Sequence, residues 1–348
     1  MSNKEDIILD VAGISKTYST YLQSQSFWGS VKNFFYRKNL SVNALHPTSF
    51  QVRKGEFLGV LGPNGAGKTT TLKILTGLIT PSEGHAQAFG AYDTSKRLPA
   101  YLRQIGMVMG QRAQLLTDLP ALDSFYLSKA LYEIEDSVFK KRLDEFVDML
   151  NVGGKISVPV RKLSLGERMK MELILSMLHH PKILFLDEPT IGLDFHAAKV
   201  IRRFLLSMNK DFKMTILLTS HYSKDIEELC DRVLLINHGR LVYDGSLEGV
   251  DERIVGQRIL DLKFKRVEDL QAFHEKVMPW LKEEFAGLGL GESETPLSLR
   301  LLLSTRDSQA VLSKITSLVP EGALADVLLG EQGIDEIFSQ IYQNGSVV

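Results

Sequence analysis

The chain has 348 residues, of which 44% are hydrophobic and 24% charged, with a formal net charge of −1. Such a length exceeds one typical domain and supplies ample material for a core, while a charge so near zero speaks against nucleic acid as the principal partner, although local basic patches survive a balanced total. No apolar run reaches the length of a membrane span, the polar, partly acidic start Met1-Ser2-Asn3-Lys4-Glu5-Asp6 is unlike a secretory signal, and the single cysteine, Cys230, cannot form an internal disulfide, so a cytoplasmic chain with one buried packing thiol is expected.

In chain order, residues 7–20 read as a strand and turn, and residues 45–60 as a strand pair around the turn Lys54-Gly55. Between them Phe27, Trp28, Val31, Phe34 and Phe35 recur at helical spacing, with Lys32, Arg37 and Lys38 outside that stripe. This is a short basic, aromatic, amphipathic helix, which can either pack on its own domain or meet a membrane interface or a membrane-embedded partner. Phe57-Leu58-Gly59-Val60-Leu61 reads as a buried strand, and the run from Thr70 to Thr76 as a helix closed by Gly77. Residues 118–180 are mostly helical, broken at Asn151-Val152-Gly153-Gly154 and at Val158-Pro159-Val160. The continuous apolar runs 182–186 and 214–219 suit central parallel strands buried on both faces, which makes the fold class α/β. Beyond about residue 250, strands over 258–265, 297–303 and 323–329 alternate with helices over 267–284, 307–318 and 334–343, and 287–298 reads as a loop: a small separate α+β appendage.

Chemistry enters at Gly62-Pro63-Asn64-Gly65-Ala66-Gly67-Lys68-Thr69, a complete phosphate loop set between a strand and a helix. Its glycines let successive backbone N–H groups curl round a β-phosphate, and the following helix start, with Thr70, adds partial positive charge. Lys68 is placed to bridge β- and γ-phosphates and the Thr69 hydroxyl to ligate Mg²⁺. Ile183-Leu184-Phe185-Leu186-Asp187-Glu188 is an apolar strand ending in two carboxylates. There Asp187 can hold the Mg²⁺ hydration shell while Glu188 polarises water towards the γ-phosphorus. Just upstream lies Leu163-Ser164-Leu165-Gly166-Glu167 at the start of a helical run. The pair His179-His180 before Pro181 suits a helix dipole better than a metal.

Together with Tyr18, Gln111, Asp194 and His221, this ordered pattern over residues 7–248 resembles the nucleotide-binding subunit of ATP-binding-cassette (ABC) transporters. The resemblance implies a P-loop NTPase fold with a parallel-sheet core, an antiparallel β subdomain and a helical signature subdomain. The boundaries expected are residues 1–248 for the ATP-binding domain, with the amphipathic insertion at about 20–42 and the helical subdomain at about 112–180, and residues 249–348 for an accessory or regulatory domain. It also implies Tyr18 as the aromatic stacked on adenine, Gln111 as the residue linking Mg²⁺ and γ-phosphate to a membrane partner, Asp194 as the loop communicating across a dimer, and His221 as a γ-phosphate contact. The signature departs from the family wording LSGGQ: Leu165 stands for a glycine and Glu167 for the glutamine. Ser164 and the Gly166 N–H remain to hold a γ-phosphate from a second subunit. Glu167 would weaken polyphosphate binding and slow the site unless it faces a ribose or a cation.

The cofactors implied are ATP and Mg²⁺, and the partners a second copy or a homologous ATPase subunit and an integral membrane permease, with no nucleic acid. The location implied is the cytoplasmic face of the membrane, with Phe27, Trp28, Phe34 and Phe35 available to touch it. The wording of residues 163–170 and of Pro189-Thr190-Ile191-Gly192-Leu193-Asp194, with an insertion after Tyr18, is similar to ATPases of polysaccharide exporters and related ABC-2 exporters. Export is therefore favoured over import. A soluble cassette ATPase acting on ribosomes or DNA is the alternative, and residues 249–348 are open to reading as a structural cap or as a regulator.

Overall fold

A computed structural model describes residues 6–21, 39–110, 113–220, 223–247, 257–285, 288–291, 295–304, 307–320 and 322–331. The chain divides into two units, Met1–Leu247 and Glu248–Val348.

The strands of the first unit are β1 (Ile7–Tyr21), β2 (Asn39–Arg53), β3 (Phe57–Leu61), β4 (Glu83–Ala88), β5 (Tyr92–Asp93), β6 (Ile105–Met109), β7 (Ile183–Asp187), β8 (Thr215–Ser220), β9 (Arg232–Asn237) and β10 (Arg240–Ser246). They form two sheets, a four-stranded one in the order β2-β1-β4-β5 and a six-stranded one in the order β10-β9-β3-β8-β7-β6. In the larger sheet β9, β3, β8, β7 and β6 are parallel, and β10 returns antiparallel on β9. Every residue of β3 and β8 is buried, as is all of β7 but Asp187. This explains why these strands read as unbroken apolar runs: a parallel strand covered on both faces has no polar side to alternate with. The smaller sheet is antiparallel throughout. Its buried Leu9, Val11, Val52 and Ala88 join one core with Val60, Leu72, Phe185 and Leu217 of the larger sheet and its first helix.

The helical region follows from apolar spacing. In Asp136–Leu150 the residues Phe139, Leu143, Phe146, Val147 and Leu150 are buried, a stripe at the 3.6-residue period, and Asn151 ends the helix in the left-handed conformation (φ 54). Short 3-10 turns at Gly153–Lys155 and Val160–Lys162 then lead into the helix Leu165–Met177.

The second unit holds β11 (Gln257–Phe264), β12 (Gly289–Gly291), β13 (Ser298–Ser304) and β14 (Leu324–Glu331), antiparallel in the order β12-β13-β11-β14. Leu260, Leu262 and Phe264, at the two-residue strand period, pack with Phe273, Leu281, Val311 and Ile315 of the helices. Arg300 grips its register partner Asp261 through two bonds of 2.7 and 2.9 Å.

Two expectations need correction. The stretch 287–298 is not all loop, because β12 adds Gly289–Gly291 to β13 as an edge strand, a segment too short and glycine-rich to show period-two alternation. The pairing of β1 with β2 reaches Tyr21 and starts at Asn39, so it takes both ends of the expected 20–42 insertion. The aromatic segment with Phe27, Trp28, Phe34 and Phe35, the helix expected over 334–343, and the site residues Gln111 and His221 lie outside the described residues. Among the described residues no helix is long and apolar enough to cross a membrane.

Candidate functional site

Strand order builds the site. Residues 62–67 leave the carboxyl end of β3, and Lys68 opens the helix Lys68–Leu75. The strand beside β3 is β8, and beyond it β7 ends in Asp187, so the loop and the two carboxylates meet at the carboxyl edge of the parallel sheet, where open α/β sheets place ligands. A cavity of about 290 Å³ opens there, lined by residues 64–70, Asp187 and Glu188, and also by Ala44, Lys73, Met109, Gly110 and Ile191.

The loop needs its glycines for different reasons. A Cβ on Gly62 would stand 2.1 Å from the Ile236 carbonyl oxygen. Gly67 caps the helix at φ 110, and a Cβ there would come within 2.7 Å of the Ala44 oxygen. Lys68 is almost fully buried, donates to the carbonyls of Gly62 (2.6 Å) and Pro63 (3.2 Å), and has Glu188 Oε1 3.7 Å from its ammonium. Burial pulls its pKa down, against the opposing pull of Glu188 and Asp187.

Asp187 Oδ1 accepts the Thr69 hydroxyl at 2.9 Å and the Thr219 hydroxyl at 2.7 Å. Glu188 adopts φ 53, and its N–H reaches both the carbonyl (3.1 Å) and the hydroxyl (3.0 Å) of Thr219. The Asp187 carbonyl accepts the N–H of Gly110, which brings the residue before Gln111 to the same edge. Thr219, Lys73 and Ala44 were not foreseen. Thr219 did leave a trace, the hydroxyl pair Thr219-Ser220 closing the apolar run 216–218, but its adjacency to Asp187 depends on strand order.

The signature does not line this cavity. Ser164 caps the helix Leu165–Met177 in a reciprocal capping box: its Oγ accepts the Glu167 N–H (3.2 Å) and its own N–H donates to Glu167 Oε2 (2.9 Å). Lys155 Nζ stands 3.0 Å from Glu167 Oε1. The Ser164 N–H, followed by Lys155, holds the Glu167 carboxyl below its usual pKa. Glu167 thus turns back onto the helix start and a cation, one of the two arrangements under which no slowing was expected. Leu165 is 45% exposed, and its Cδ2 lies 3.2 Å from where a Gly192 Cβ would be. Gly166 packs on Ala197, and a Cβ there would lie 4.0 Å from Asp194 Oδ2. Asp194 caps the helix Phe195–Lys210 through the Ala197 N–H (2.9 Å), which lowers its pKa. The predicted residues therefore form two groups, the phosphate loop with Asp187 and Glu188, and the signature with Asp194. The 188–194 segment runs from one to the other. Tyr18, 41% exposed on β1 beside Val42 of β2 and under a Lys16 ammonium, is in neither.

Two buried carboxylates brace the surroundings. Asp225 accepts the hydroxyls of Thr190 and Ser220 (3.1 Å) and pairs with Arg202 at 3.0 Å, tying the 188–194 segment to the residue before His221. Glu172, on the signature helix, accepts the N–H groups of Gln114 (3.0 Å) and Leu115 (3.4 Å), and burial raises its pKa. The histidine pair corrects its expectation, because burial lowers the His179 pKa and the ring lies stacked on Tyr132, 4.0 Å between centroids, instead of serving a helix dipole as a cation.

Residues 45–191 match the family model described as ABC transporter. The chain is 32% identical over 230 residues to the ABC transporter ATP-binding protein NatA of Bacillus subtilis (strain 168), covering 66% of this chain and 92% of that protein. It is 31% identical over 297 residues to the doxorubicin resistance ATP-binding protein DrrA of Mycobacterium tuberculosis (strain CDC 1551 / Oshkosh), covering 85% and 87%. Among solved structures, a dimeric post-hydrolysis ATP-binding cassette bound to ADP and Pi shares the fold with a TM-score of 0.56 at 21% identity, over 69% of this chain and 99% of that one.

Proposed function

The chain belongs to the ATP-binding subunits of ABC transporters, and on that premise we propose that it powers export through a separate integral membrane permease. As a member it is an ATPase that binds ATP. The observation that carries the catalytic reading is the meeting of Lys68, Thr69, Asp187 and Glu188 on one cavity wall. Backbone N–H groups of residues 64–69 would cradle the phosphates, and the Lys68 ammonium would leave its carbonyl partners for the β- and γ-phosphates. Glu188, the residue after the buried strand β7, would accept a proton from the attacking water as it approaches the γ-phosphorus.

The donor set fits Mg²⁺: a hydroxyl and a carboxylate, both hard oxygen ligands, stand 2.9 Å apart at Thr69 and Asp187. Thr69 would ligate the ion, Asp187 would hold it through water, and Gln111 would join them from the segment after Gly110. Once bound, the ion neutralises charge on the transferred phosphoryl group.

A second copy supplies the rest of the site in this proposal. Ser164, Leu165, Gly166 and Glu167 do not line the cavity of their own chain, which supports their serving the phosphate loop of a partner, and the dimeric cassette with the same fold supports the same reading. ATP would hold two cassettes together and hydrolysis release them, driving the permease between access states. Tyr18 is assigned to adenine, Asp194 to communication across the dimer, and His221 to the γ-phosphate. Residues 249–348 are assigned an accessory role.

Support for a membrane partner comes from an apolar groove of about 220 Å³ beside Gln114, walled by Met107, Leu116, Leu127, Leu131 and Tyr132. Leu127 and Leu131 are 59% and 67% exposed, a contiguous patch of the kind that marks a protein interface. Export draws support from DrrA, a resistance protein aligned over most of both chains. The test is membrane fractionation and affinity purification from native membranes, where one integral membrane protein should co-purify and be lost on Leu127→Glu with ATP binding intact. Transport into inverted vesicles should then follow the ATP side. A chain that stays soluble and purifies with ribosomes or DNA would refute the reading.

A further inference from the structure

Thr219 is fully buried at the carboxyl end of β8, the strand that separates the phosphate-loop strand β3 from the carboxylate strand β7. It is the register partner of Asp187. Its hydroxyl is used twice. The proton goes to Asp187 Oδ1 at 2.7 Å, and the oxygen receives the Glu188 N–H at 3.0 Å.

Each bond has a consequence for the carboxylate it touches. Asp187 Oδ1 takes two hydroxyls, Thr219 from the neighbouring strand and Thr69 from the phosphate-loop helix, and among the described residues Oδ2 takes none. Two donors on one oxygen fix the rotation of the carboxylate and leave the second oxygen for other ligands. Glu188 holds φ 53, a left-handed conformation that costs a non-glycine residue about 1 kcal/mol and persists only where its surroundings over-determine it. Thr219 supplies that constraint, since its carbonyl and its hydroxyl grip the same N–H.

We propose that Thr219 is a positioning residue for ATP hydrolysis, its hydroxyl setting the orientation of Asp187 and the backbone of Glu188 together. This rests on the reading of Asp187 and Glu188 given above. The hydroxyl acts on the reacting groups only through them, so its removal lowers turnover more than nucleotide affinity.

The experiment compares Thr219→Val, which keeps the branched shape and loses the hydroxyl, with Thr219→Ser, which keeps the hydroxyl and loses the methyl. The full-length protein is used throughout. Folding should survive the valine, because Asp187 Oδ1 keeps Thr69 and the Glu188 N–H keeps the Thr219 carbonyl. Thr219→Val should lower kcat about 10- to 100-fold, the usual effect of losing an outer-shell partner. Its KM for ATP, and its affinity for a fluorescent ATP analogue in EDTA, should stay within about twofold of wild type, and Thr219→Ser should recover most of the turnover. Wild-type kcat in Thr219→Val, or equal losses in the two variants, would overturn the proposal. A loss confined to KM with a lowered melting temperature would do the same. Asp187→Asn and Glu188→Gln run alongside: if they too keep full turnover, the site assignment itself fails, whereas if they lose it and Thr219→Val does not, only the role of Thr219 falls.

Discussion

Lys68 and Glu188, one from the phosphate loop and one from the end of β7, stand 3.7 Å apart with both side chains largely buried. In the proposed mechanism the ammonium binds phosphate and the carboxylate accepts a proton, so substitution at each position tests a different role. Lys68→Ala removes an ammonium that binds, so ATP affinity should fall about 10- to 100-fold, as for loss of a hydrogen bond to a charged group. Glu188→Gln removes a proton acceptor and the charge facing Lys68 while keeping the side-chain shape. It should bind ATP normally, lose about 100-fold or more in kcat, and accumulate as an ATP-bound dimer in size-exclusion chromatography. A Glu188→Gln protein that turns over at the wild-type rate would exclude Glu188 as the base.

The glycines of the loop differ in kind, and stability measurements should rank them. At Gly62 a methyl group meets the Ile236 backbone carbonyl oxygen at 2.1 Å and the Ala66 Cβ at 2.9 Å. Gly62→Ala should therefore cost about 1–3 kcal/mol, the usual range for overpacking, and distort the phosphate cradle. Gly65 has φ 80 and open space in front of its missing side chain. Gly65→Ala should cost about 1 kcal/mol of backbone strain alone. Denaturant titration of the two variants gives the order, and a Gly65→Ala protein less stable than Gly62→Ala would contradict the steric account.

Much of this arrangement was legible because the relevant signals are local. The loop 62–69 and the apolar run ending at Asp187 each declare themselves within a few residues, and the burial of β3, β7 and β8 up to Asp187 follows from the lack of alternation. What was not legible depends on strand order. Nothing in the run Thr215–Ser220 says that β8 lies between β3 and β7, so the contact of Thr219 with Asp187 could not be read from it. The same holds for Glu172, whose bonds to Gln114 and Leu115 join segments 58 and 57 residues away. Glu167 could be placed near phosphate only by position in the motif, since Lys155 joins it through a turn of irregular backbone.

That placement of Glu167 makes its substitution informative. The carboxylate already faces Lys155 at 3.0 Å and the Ser164 N–H at 2.9 Å, so its charge is offset before any polyphosphate approaches. Glu167→Gln keeps an oxygen for the capping box and gives up a half-exposed ion pair worth no more than about 1 kcal/mol. ATPase activity should equal or exceed that of wild type, measured at saturating ATP with the purified protein. Activity clearly below wild type would show that the carboxylate itself serves the site.

His179 should leave a mark on the pH dependence of stability. Its Nε2 lies 2.9 Å from the Ile105 carbonyl oxygen, which fixes the proton on Nε2, while Nδ1 is buried without a hydrogen-bond partner among the described residues. A second proton would have to enter there. Burial lowers the pKa first of all, the Ile105 carbonyl opposes the shift, and the charges of Arg142 and His180 add to it. A base depressed in the folded state is protonated more readily in the unfolded chain, so the unfolded state gains protons as pH drops below about 6.5. The stability tied to neutral His179 is thus complete above that pH and is lost as pH falls through the folded value. His179→Phe keeps an aromatic ring to stack on Tyr132 and removes the titration. It should lower stability at pH 8 by about 1 kcal/mol through the lost bond to Ile105, yet lose less than wild type between pH 7 and pH 5. Parallel denaturant curves at several pH values decide the matter, and identical pH slopes in the two proteins would rule out a contribution from His179.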